Sequence, residues 1–153
     1  MEFSSIDEVV DFAIEKEQEA AAFYLELSEM DAALSSKNDL IGFAQEEEKH
    51  EKMLNDFKAD KSAFDNYEFK KIQDMKRADY MEHMDYTPAM SYHDVLRVAI
   101  KREEIAYKLY QDLAGSAKDD KLKNVFEILA NEELQHKGKL EGLYDDIVKK
   151  TGG

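Results

Sequence analysis

The sequence predicts an all-α protein, a four-helix bundle of two repeated helical hairpins joined by a long crossover. Its 153 residues include one proline and only six glycines, so turn residues are scarce and long helices are favoured. Apolar residues recur at spacings of three and four, as on one face of a helix. The second half also repeats the first. The length is typical of one compact domain, so we expect a single domain over residues 1–153.

The internal repeat relates the two halves by a constant offset: Glu17 recurs as Glu103, 86 residues later. The same offset relates four more pairs, which are Ser5 and Ser91, Ala44 and Ala130, Glu47 and Glu133, and His50 and His136. Chance similarity is a poor explanation, because one register without gaps extends over two separate helices. The repeat therefore predicts two hairpins, at residues 5–57 and 91–149.

The first hairpin contains two predicted helices. Ser5, with Glu8 in the first turn, is a typical N-cap, so the first helix begins near residue 6 and ends near Met30. The second helix begins after Ser36 or Asn38. The inward stripes consist of Val10, Ala13, Ile14, Ala20, Ala21, Tyr24 and Leu27 in the first helix and of Leu40, Phe43, Ala44, Leu54 and Phe57 in the second.

The second hairpin repeats this pattern. Ser91 and Asp94 mark the start of the third helix near residue 92, and Gly115 is a predicted C-terminal stop. The fourth helix covers residues 121–149. The inward stripes consist of Leu96, Ala99, Ile100, Ala106, Tyr107, Tyr110 and Leu113 in the third helix and of Phe126, Leu129, Ala130, Leu140, Leu143, Tyr144 and Ile147 in the fourth.

A crossover of residues 58–90 separates the hairpins and is too long for a tight turn. We expect a short helix from Phe64 to Met81, before Pro88 breaks the chain. Two helical hairpins with a long crossover form the connectivity of ferritin-like four-helix bundles.

Four glutamates interrupt the apolar stripes at inward positions: Glu17, Glu47, Glu103 and Glu133. An unpaired ionised carboxylate in a bundle core costs several kcal/mol or takes up a proton. Because no lysine or arginine falls on the stripes beside them, pairing with a buried base does not explain these glutamates. The pattern therefore predicts a bound cation.

Two histidines follow at the spacing Glu-x-x-His, which places a carboxylate and an imidazole one turn apart on the same face. One such motif on a charged helix is usually a solvated surface, but two copies in register favour a metal site. We predict two metal ions held by Glu17, Glu47, His50, Glu103, Glu133 and His136. Oxygen ligands with imidazole fit iron or manganese, whereas a structural zinc site does not need so many carboxylates.

The remaining tyrosines, glutamates and histidines are interpreted as core or surface residues. Aromatic residues on a stripe are usually core, and charged residues beside a stripe usually face water. Tyr24, Tyr107 and Tyr110 could donate hydrogen bonds to the ligands or take part in radical chemistry, but core packing is the preferred interpretation for each. We assign Glu46, Glu48, Glu51, Glu104 and Glu132 to solvent, and His83 and His93 to the surface.

Composition excludes several classes of partner and site. The formal net charge of −14 disfavours nucleic acid and anionic membrane surfaces. The absence of cysteine excludes thiolate metal sites, a nucleophilic cysteine and a fused rubredoxin-type domain. The N-terminal residues lack the features of a signal peptide and no apolar run reaches a membrane span, so we expect a cytoplasmic protein.

At these motifs the sequence resembles the rubrerythrin-like branch of the ferritin superfamily. The family pattern is an inward Glu with a downstream Tyr, then Glu-x-x-His, a crossover, and a second copy, here Glu17 with Tyr24, Glu47 to His50, Glu103 with Tyr110, and Glu133 to His136. The resemblance implies a non-haem di-iron oxidoreductase that reacts with peroxide or dioxygen. It also implies bridging roles for Glu47 and Glu133 and terminal roles for Glu17 and Glu103, and it points to a homodimer.

Two departures from the family pattern limit what the resemblance implies. Full rubrerythrins carry a cysteine-rich domain that delivers electrons, so a separate electron donor is expected for this chain. They also carry a further Glu three residues after the third-helix ligand, where this sequence has Ala106. The alternatives are a ferroxidase or iron-handling protein without an organic substrate, a manganese or mixed-metal centre, and a structural bundle without metal.

Overall fold

The computed structural model describes residues 3, 5–60, 69–81, 87 and 89–151. These residues form an all-α four-helix bundle, which confirms the predicted fold class. The four long helices are α1 (Ile6–Ser28), α2 (Lys37–Ala59), α4 (Tyr92–Ser116) and α5 (Asp120–Thr151), and the crossover contains the short α3 (Phe69–Asp74). Helix α1 packs against α2, and α4 packs against α5.

Side-chain caps fix the start of each hairpin, as predicted. The Ser5 hydroxyl accepts a hydrogen bond from the Glu8 amide at 3.2 Å, and Ser91 accepts one from the Asp94 amide at 3.2 Å. Helix α1 ends at Ser28, two residues before the predicted end, and a 3₁₀ helix over Asp31–Ser36 leads into α2. Both hairpins therefore begin at the same point of the repeat.

The predicted stop at Gly115 is wrong, because α4 continues to Ser116. Gly115 does not adopt the left-handed conformation that ends many helices. The Ser116 hydroxyl instead donates a hydrogen bond to the Leu113 carbonyl at 2.8 Å, and the Ala117 amide donates one to the Ala114 carbonyl. These bonds satisfy carbonyls of the last turn without a glycine.

The crossover is less helical than predicted over the residues described. Helix α3 is followed by a 3₁₀ helix, Arg77–Tyr80, while residues 64–68 and Pro88 lie outside the described residues. Buried Met75 and Tyr80 would lie about 140° apart on a continuous helix, so one helix cannot direct both into the core. Tyr80 donates a hydrogen bond to Asp112 at 2.6 Å, and Lys71 donates one to the Gly115 carbonyl at 3.0 Å. These contacts hold the crossover against α4.

The apolar core is divided into two clusters along the bundle. One is built mainly from Phe3, Val9, Val10, Phe12, Ala13, Leu54, Ile72, Met75, Tyr80, Leu109, Tyr110, Leu113, Phe126, Leu129 and Ala130. The other contains Phe23, Tyr24, Leu27, Ala33, Leu40, Phe43, Ala44, Tyr92, Val95, Leu96, Val98, Ala99 and Leu140. On each long helix the predicted glutamate falls between the residues of the two clusters.

The outer faces of the helices are polar with scattered apolar side chains. The exposed large apolar residues of the described chain are Leu25, Leu34, Met53, Met81, Ile128 and Leu134. None of the described helices combines the length and the apolar character that crossing a lipid bilayer requires.

Candidate metal centre

The six predicted ligands converge within one chain, between the two apolar clusters. Each of them is at most 3% exposed. Their donor atoms form two groups, and within each group the atoms lie within 4.8 Å of one another. Glu47 and Glu133 belong to both groups. Glu17 and His50 complete one group, and Glu103 and His136 complete the other.

The two histidines direct the same ring nitrogen towards the shared carboxylates. His50 Nδ1 lies 2.8 Å from Glu133 Oε1, and His136 Nδ1 lies 3.1 Å from Glu47 Oε1. The same nitrogens lie 3.6 Å from Glu17 Oε2 and 3.7 Å from Glu103 Oε2, respectively. Each histidine therefore faces the shared carboxylate of the opposite hairpin and the outer carboxylate of its own.

Two half-exposed glutamates hold the other ring nitrogens, which corrects the prediction that they face water only. His50 Nε2 is hydrogen-bonded to Glu132, and His136 Nε2 is hydrogen-bonded to Glu46. A helical residue next to an inward one lies at the flank of the stripe, from which a glutamate reaches a neighbouring helix. A carboxylate accepts, so each Nε2 carries a proton, and each Nδ1 faces inwards, where it can hold either a second proton or a metal ion.

Two buried tyrosines hold the outer carboxylates. Tyr24 donates a hydrogen bond to Glu103 Oε1, and Tyr110 donates one to Glu17 Oε1. Burial, followed by the nearby carboxylates, raises the pKa of both phenols well above the usual range, so both stay protonated and donate. Both tyrosines lie in the core as predicted, and both also have the alternative role, as donors to the outer carboxylates. The bonds leave Oε2 of each carboxylate facing inwards.

Unpartnered buried atoms show that the site suits a cation. Each of the six residues presents one buried atom that forms no well-aligned hydrogen bond, although the two histidine nitrogens lie 2.8 and 3.1 Å from the shared carboxylates: Glu17 Oε2, Glu47 Oε1, His50 Nδ1, Glu103 Oε2, Glu133 Oε1 and His136 Nδ1. All six residues belong to the two overlapping donor groups. Because buried polar atoms are normally satisfied, and carboxylate oxygens and imidazole nitrogens are ligands of iron and manganese, the donor set fits two such ions.

Electrostatics inside the centre also favour positive charge. Burial, followed by the neighbouring carboxylates, raises the pKa of Glu47 and Glu133 well above the usual range. Burial alone would lower the pKa of His50, but Glu133 and Glu17 raise it to about 11. Without a metal, protons are therefore the cations of this site, and metal binding must displace them.

Other candidate residues lie outside the centre. Tyr107 was predicted to be core, but it is partly exposed and its hydroxyl accepts a hydrogen bond from Gln111 at 2.6 Å. Glu48 is exposed, as predicted. His93 is partly exposed and stacks on Tyr144, whereas His83 lies outside the described residues.

Two depressions approach the centre from opposite faces. Between α1 and α4, a cavity of about 50 Å³ reaches the carboxylates of Glu17, Glu47, Glu103 and Glu133. On the α2–α5 face, a depression of about 220 Å³ ends at His50 and the outer Glu46 and Glu132. The α1–α4 cavity contacts all four inward carboxylates, whereas the depression on the α2–α5 face contacts none of them.

Comparison with known proteins agrees with the motifs. A family model described as Rubrerythrin matches residues 94–152, which cover most of α4 and all of α5. This match confirms the resemblance to the ferritin-like di-iron carboxylate proteins through the second hairpin, where Glu103, Glu133 and His136 lie. The comparisons with curated proteins and with solved structures give no match.

Proposed function

We propose that this rubrerythrin-like chain binds two iron ions in the centre and reduces peroxide or dioxygen there. The observation that supports this proposal is the pair of donor groups that share Glu47 and Glu133. Shared carboxylates suit two ions held side by side. Glu17 with His50, and Glu103 with His136, would complete the two ligand sets, with Glu47 and Glu133 as bridges. Manganese is the alternative metal, since the donor atoms suit both.

The chain's own residues would position these ligands. The Glu132 and Glu46 carboxylates hold the histidine rings so that Nδ1 faces inwards, and outer hydrogen bonds of this kind raise metal affinity. The Tyr24 and Tyr110 hydroxyls hold one oxygen of each outer carboxylate. The surrounding apolar clusters exclude bulk water and keep the local dielectric low.

The bound iron would supply one-electron redox chemistry at a site that only small molecules reach. Reduction of hydrogen peroxide breaks its O–O bond and consumes two electrons and two protons to give two waters. The 153 residues contain no cysteine for a thiolate redox site, so we propose that an external reductant supplies the electrons. The half-exposed Glu46 and Glu132 link the buried histidines to solvent.

The number of turnovers distinguishes peroxide reduction from iron handling. Iron-loaded protein with a chemical reductant should consume peroxide steadily, in large excess over its iron. Stoichiometric oxidation of ferrous iron that stops after one cycle would instead indicate a ferroxidase. Elemental analysis together with the near-ultraviolet spectrum identifies the metal and its number per chain. Fewer than two metal ions per chain after reconstitution with either ion would contradict the proposal.

A further inference from the structure

We propose that Tyr80 is a redox-active residue that carries single electrons from a surface depression to the candidate centre, with Asp112 as the acceptor of its proton. The electron donor would be a small cationic molecule that binds in that depression. This inference rests on the proposed function, because the oxidised centre is the electron acceptor. A measurement on the metal-free protein separates failure of this electron pathway from failure of the function.

Tyr80 lies between the centre and the solvent. Its side chain is only 2% exposed, and it lines the α1–α4 cavity of about 50 Å³ that also contacts the four inward carboxylates. The same residue lines a depression of about 350 Å³ between the crossover and α4. Tyr110, which donates a hydrogen bond to Glu17, lines the α1–α4 cavity as well. An electron that enters at Tyr80 therefore reaches the candidate ligands across one small cavity.

Asp112 provides the proton acceptor that the oxidation of a tyrosine requires. A tyrosine that loses an electron must also lose its phenolic proton, because the radical cation is a very strong acid. Tyr80 donates a hydrogen bond to Asp112 at 2.6 Å, a distance typical of a hydroxyl bonded to an ionised carboxylate. The proton therefore has a direct path to Asp112 when the electron leaves. Burial, followed by Asp112, raises the pKa of Tyr80, so the phenol is protonated before it reacts.

The hydrogen-bond partner of Tyr80 distinguishes it from the tyrosines that hold the outer carboxylates. Proton transfer from Tyr24 or Tyr110 would protonate a candidate ligand. Asp112 belongs to neither donor group and is partly exposed, so it accepts and returns a proton without disturbing the metal site. Lys108 Nζ lies 5.5 Å from the centre of the Tyr80 ring, and this positive charge opposes oxidation of the ring unless the proton leaves as well.

The charge and size of the depression define the class of electron donor. Three aspartates line it, Asp74, Asp79 and Asp112, whereas its basic residue is Lys71. The chain as a whole has a formal net charge of −14, so both the local and the overall charge attract cations and repel anions. A volume of about 350 Å³ lies at the small end of the range for ligand pockets. The depression therefore suits a small cationic donor.

Electrons and protons balance in each cycle. Tyr80 loses one electron to the oxidised centre, and its O–H bond breaks as the proton passes to Asp112. The donor then gives one electron to the Tyr80 radical, and Asp112 returns the proton, so the O–H bond forms again. Two such cycles supply the two electrons that reduce one hydrogen peroxide to two waters, and solvent supplies the two protons.

Fluorotyrosine in place of Tyr80 identifies the radical, because the fluorine nucleus splits the electron paramagnetic resonance signal of that residue alone. Iron-loaded protein, reduced and then mixed with hydrogen peroxide without a donor, should show this splitting. Fluorotyrosine in place of Tyr144, which is partly exposed at the far end of α5, should not. Asp112→Asn keeps an acceptor oxygen for the Tyr80 hydroxyl but removes the base, so the radical yield should fall at least about tenfold.

Photo-oxidation of the metal-free protein tests the same pair of residues without the centre. Flash-generated tris(bipyridine)ruthenium(III), a cationic oxidant, should produce the fluorine-split radical at Tyr80, and Asp112→Asn should slow its formation at least about tenfold. This result would support the proposal even in a chain without peroxide turnover. Absence of the splitting from both experiments, or a splitting that Asp112→Asn leaves unchanged, would overturn it even in a chain that turns over peroxide.

Steady-state kinetics test the donor side. With hexaammineruthenium(II) as the cationic donor, peroxide consumption should fall at least about tenfold in Tyr80→Phe and in Asp112→Asn but not in Tyr144→Phe, while every protein retains two ions per chain. The anionic donor ferrocyanide should support slower turnover of the wild type than the cationic donor. Equal rates in all of these proteins with the cationic donor would overturn the proposed electron pathway.

Discussion

The two faces of the candidate centre hold their candidate ligands in different ways. On the α2–α5 face, the half-exposed carboxylates of Glu46 and Glu132 hold the histidine rings. On the α1–α4 face, the fully buried hydroxyls of Tyr24 and Tyr110 hold the outer carboxylates. The first pair is charged and near solvent, and the second is neutral and enclosed.

Burial explains this difference. Burial alone would raise the pKa of Glu46, but its hydrogen bond with His136 lowers it, so the carboxylate stays ionised at little cost near water. A lysine or arginine beside Glu17 or Glu103 would neutralise the carboxylate and oppose a bound metal ion, whereas a tyrosine donates a hydrogen bond without adding charge. The partner near the surface is therefore a charged carboxylate, and the partner in the core is a neutral hydroxyl.

On both faces, every hydrogen bond that supports a candidate ligand joins the two hairpins. Tyr24 on α1 contacts α4, Tyr110 on α4 contacts α1, and each histidine of one hairpin contacts a glutamate of the other. Neither hairpin alone contains a supported ligand set. The centre thus couples ligand geometry to the packing of the hairpins, and metal binding is expected to stabilise the fold.

Metal removal should have the largest effect, and it should depend on pH. The raised pKa values of Glu47, Glu133 and His50 stabilise the metal-free fold at pH below the unfolded-chain values, about 4.3 for Glu and 6.5 for His. That stabilisation is lost as pH rises through the folded-state pKa values. Metal binding strengthens over the same range, because fewer protons must be displaced.

The melting temperatures of iron-loaded and chelator-treated protein should therefore diverge from pH 5 to pH 9. Calorimetry across this range measures both forms. A gap that is constant with pH would show that the buried carboxylates and histidines do not exchange protons for metal.

Substitution of a shared carboxylate should remove most of this metal-dependent stability. At free metal of 100 times Kd, binding stabilises the fold by about 2.7 kcal/mol, and Glu47→Ala should abolish most of that gain because Glu47 belongs to both ligand groups. Metal-free Glu47→Ala should be as stable as the wild type or more so, since one buried acid is gone. The neighbouring Glu48→Ala, at an exposed position, is the control.

Unfolding curves with and without metal provide the measurement. If Glu47→Ala weakens the metal-free fold as much as the loaded one while two ions still bind, Glu47 serves the fold and the di-metal assignment is wrong.

Substitution of Glu46 or Glu132, the half-exposed carboxylates that hold the histidine rings, should have a smaller effect on metal binding. Glu46→Gln or Glu132→Gln should weaken metal binding by about 10–100-fold, because outer partners of histidine ligands orient the ring and raise its basicity. The lower end is expected, since water can replace a half-exposed carboxylate. Competition with a coloured chelator measures the affinity, and exposed Glu127→Gln is the control. Equal affinities in all four proteins would mean that the histidine contacts are not functional.

The sequence was sufficient to predict the helices and the buried glutamates and histidines of the candidate centre, but not the residues that hold them. Ser5 and Ser91 marked the helix starts, and inward glutamates stood out because a carboxylate on an apolar stripe is costly. Glu46 and Glu132 lie beside the stripe, and whether such a side chain reaches a histidine depends on the distance between α2 and α5. The offset of 86 residues that also relates these two glutamates was the available signal.

The crossover was the least predictable region of the fold. It has no counterpart in the repeat, and its buried residues, Ile72, Met75 and Tyr80, do not follow one helical period. Its position depends on contacts such as the hydrogen bond from Tyr80 to Asp112. Such contacts form only once α4 is in place, so a local pattern does not encode them.

Substitution of Tyr24 or Tyr110, the buried tyrosines that hold the outer carboxylates, should give the smallest change in metal affinity and a measurable change in fold stability. Tyr24→Phe or Tyr110→Phe removes the hydroxyl that holds Glu103 or Glu17 and leaves a buried carboxylate oxygen without its donor, at a cost of about 1–3 kcal/mol. In the loaded protein the ion still attracts the carboxylate, so affinity should fall only several-fold. Tyr107→Phe, at a partly exposed hydroxyl, is the control. A loss of affinity larger than that of Glu46→Gln would reverse the ranking of the two faces, because it would show that the buried hydroxyls, and not the solvent-side carboxylates, set the ligand geometry.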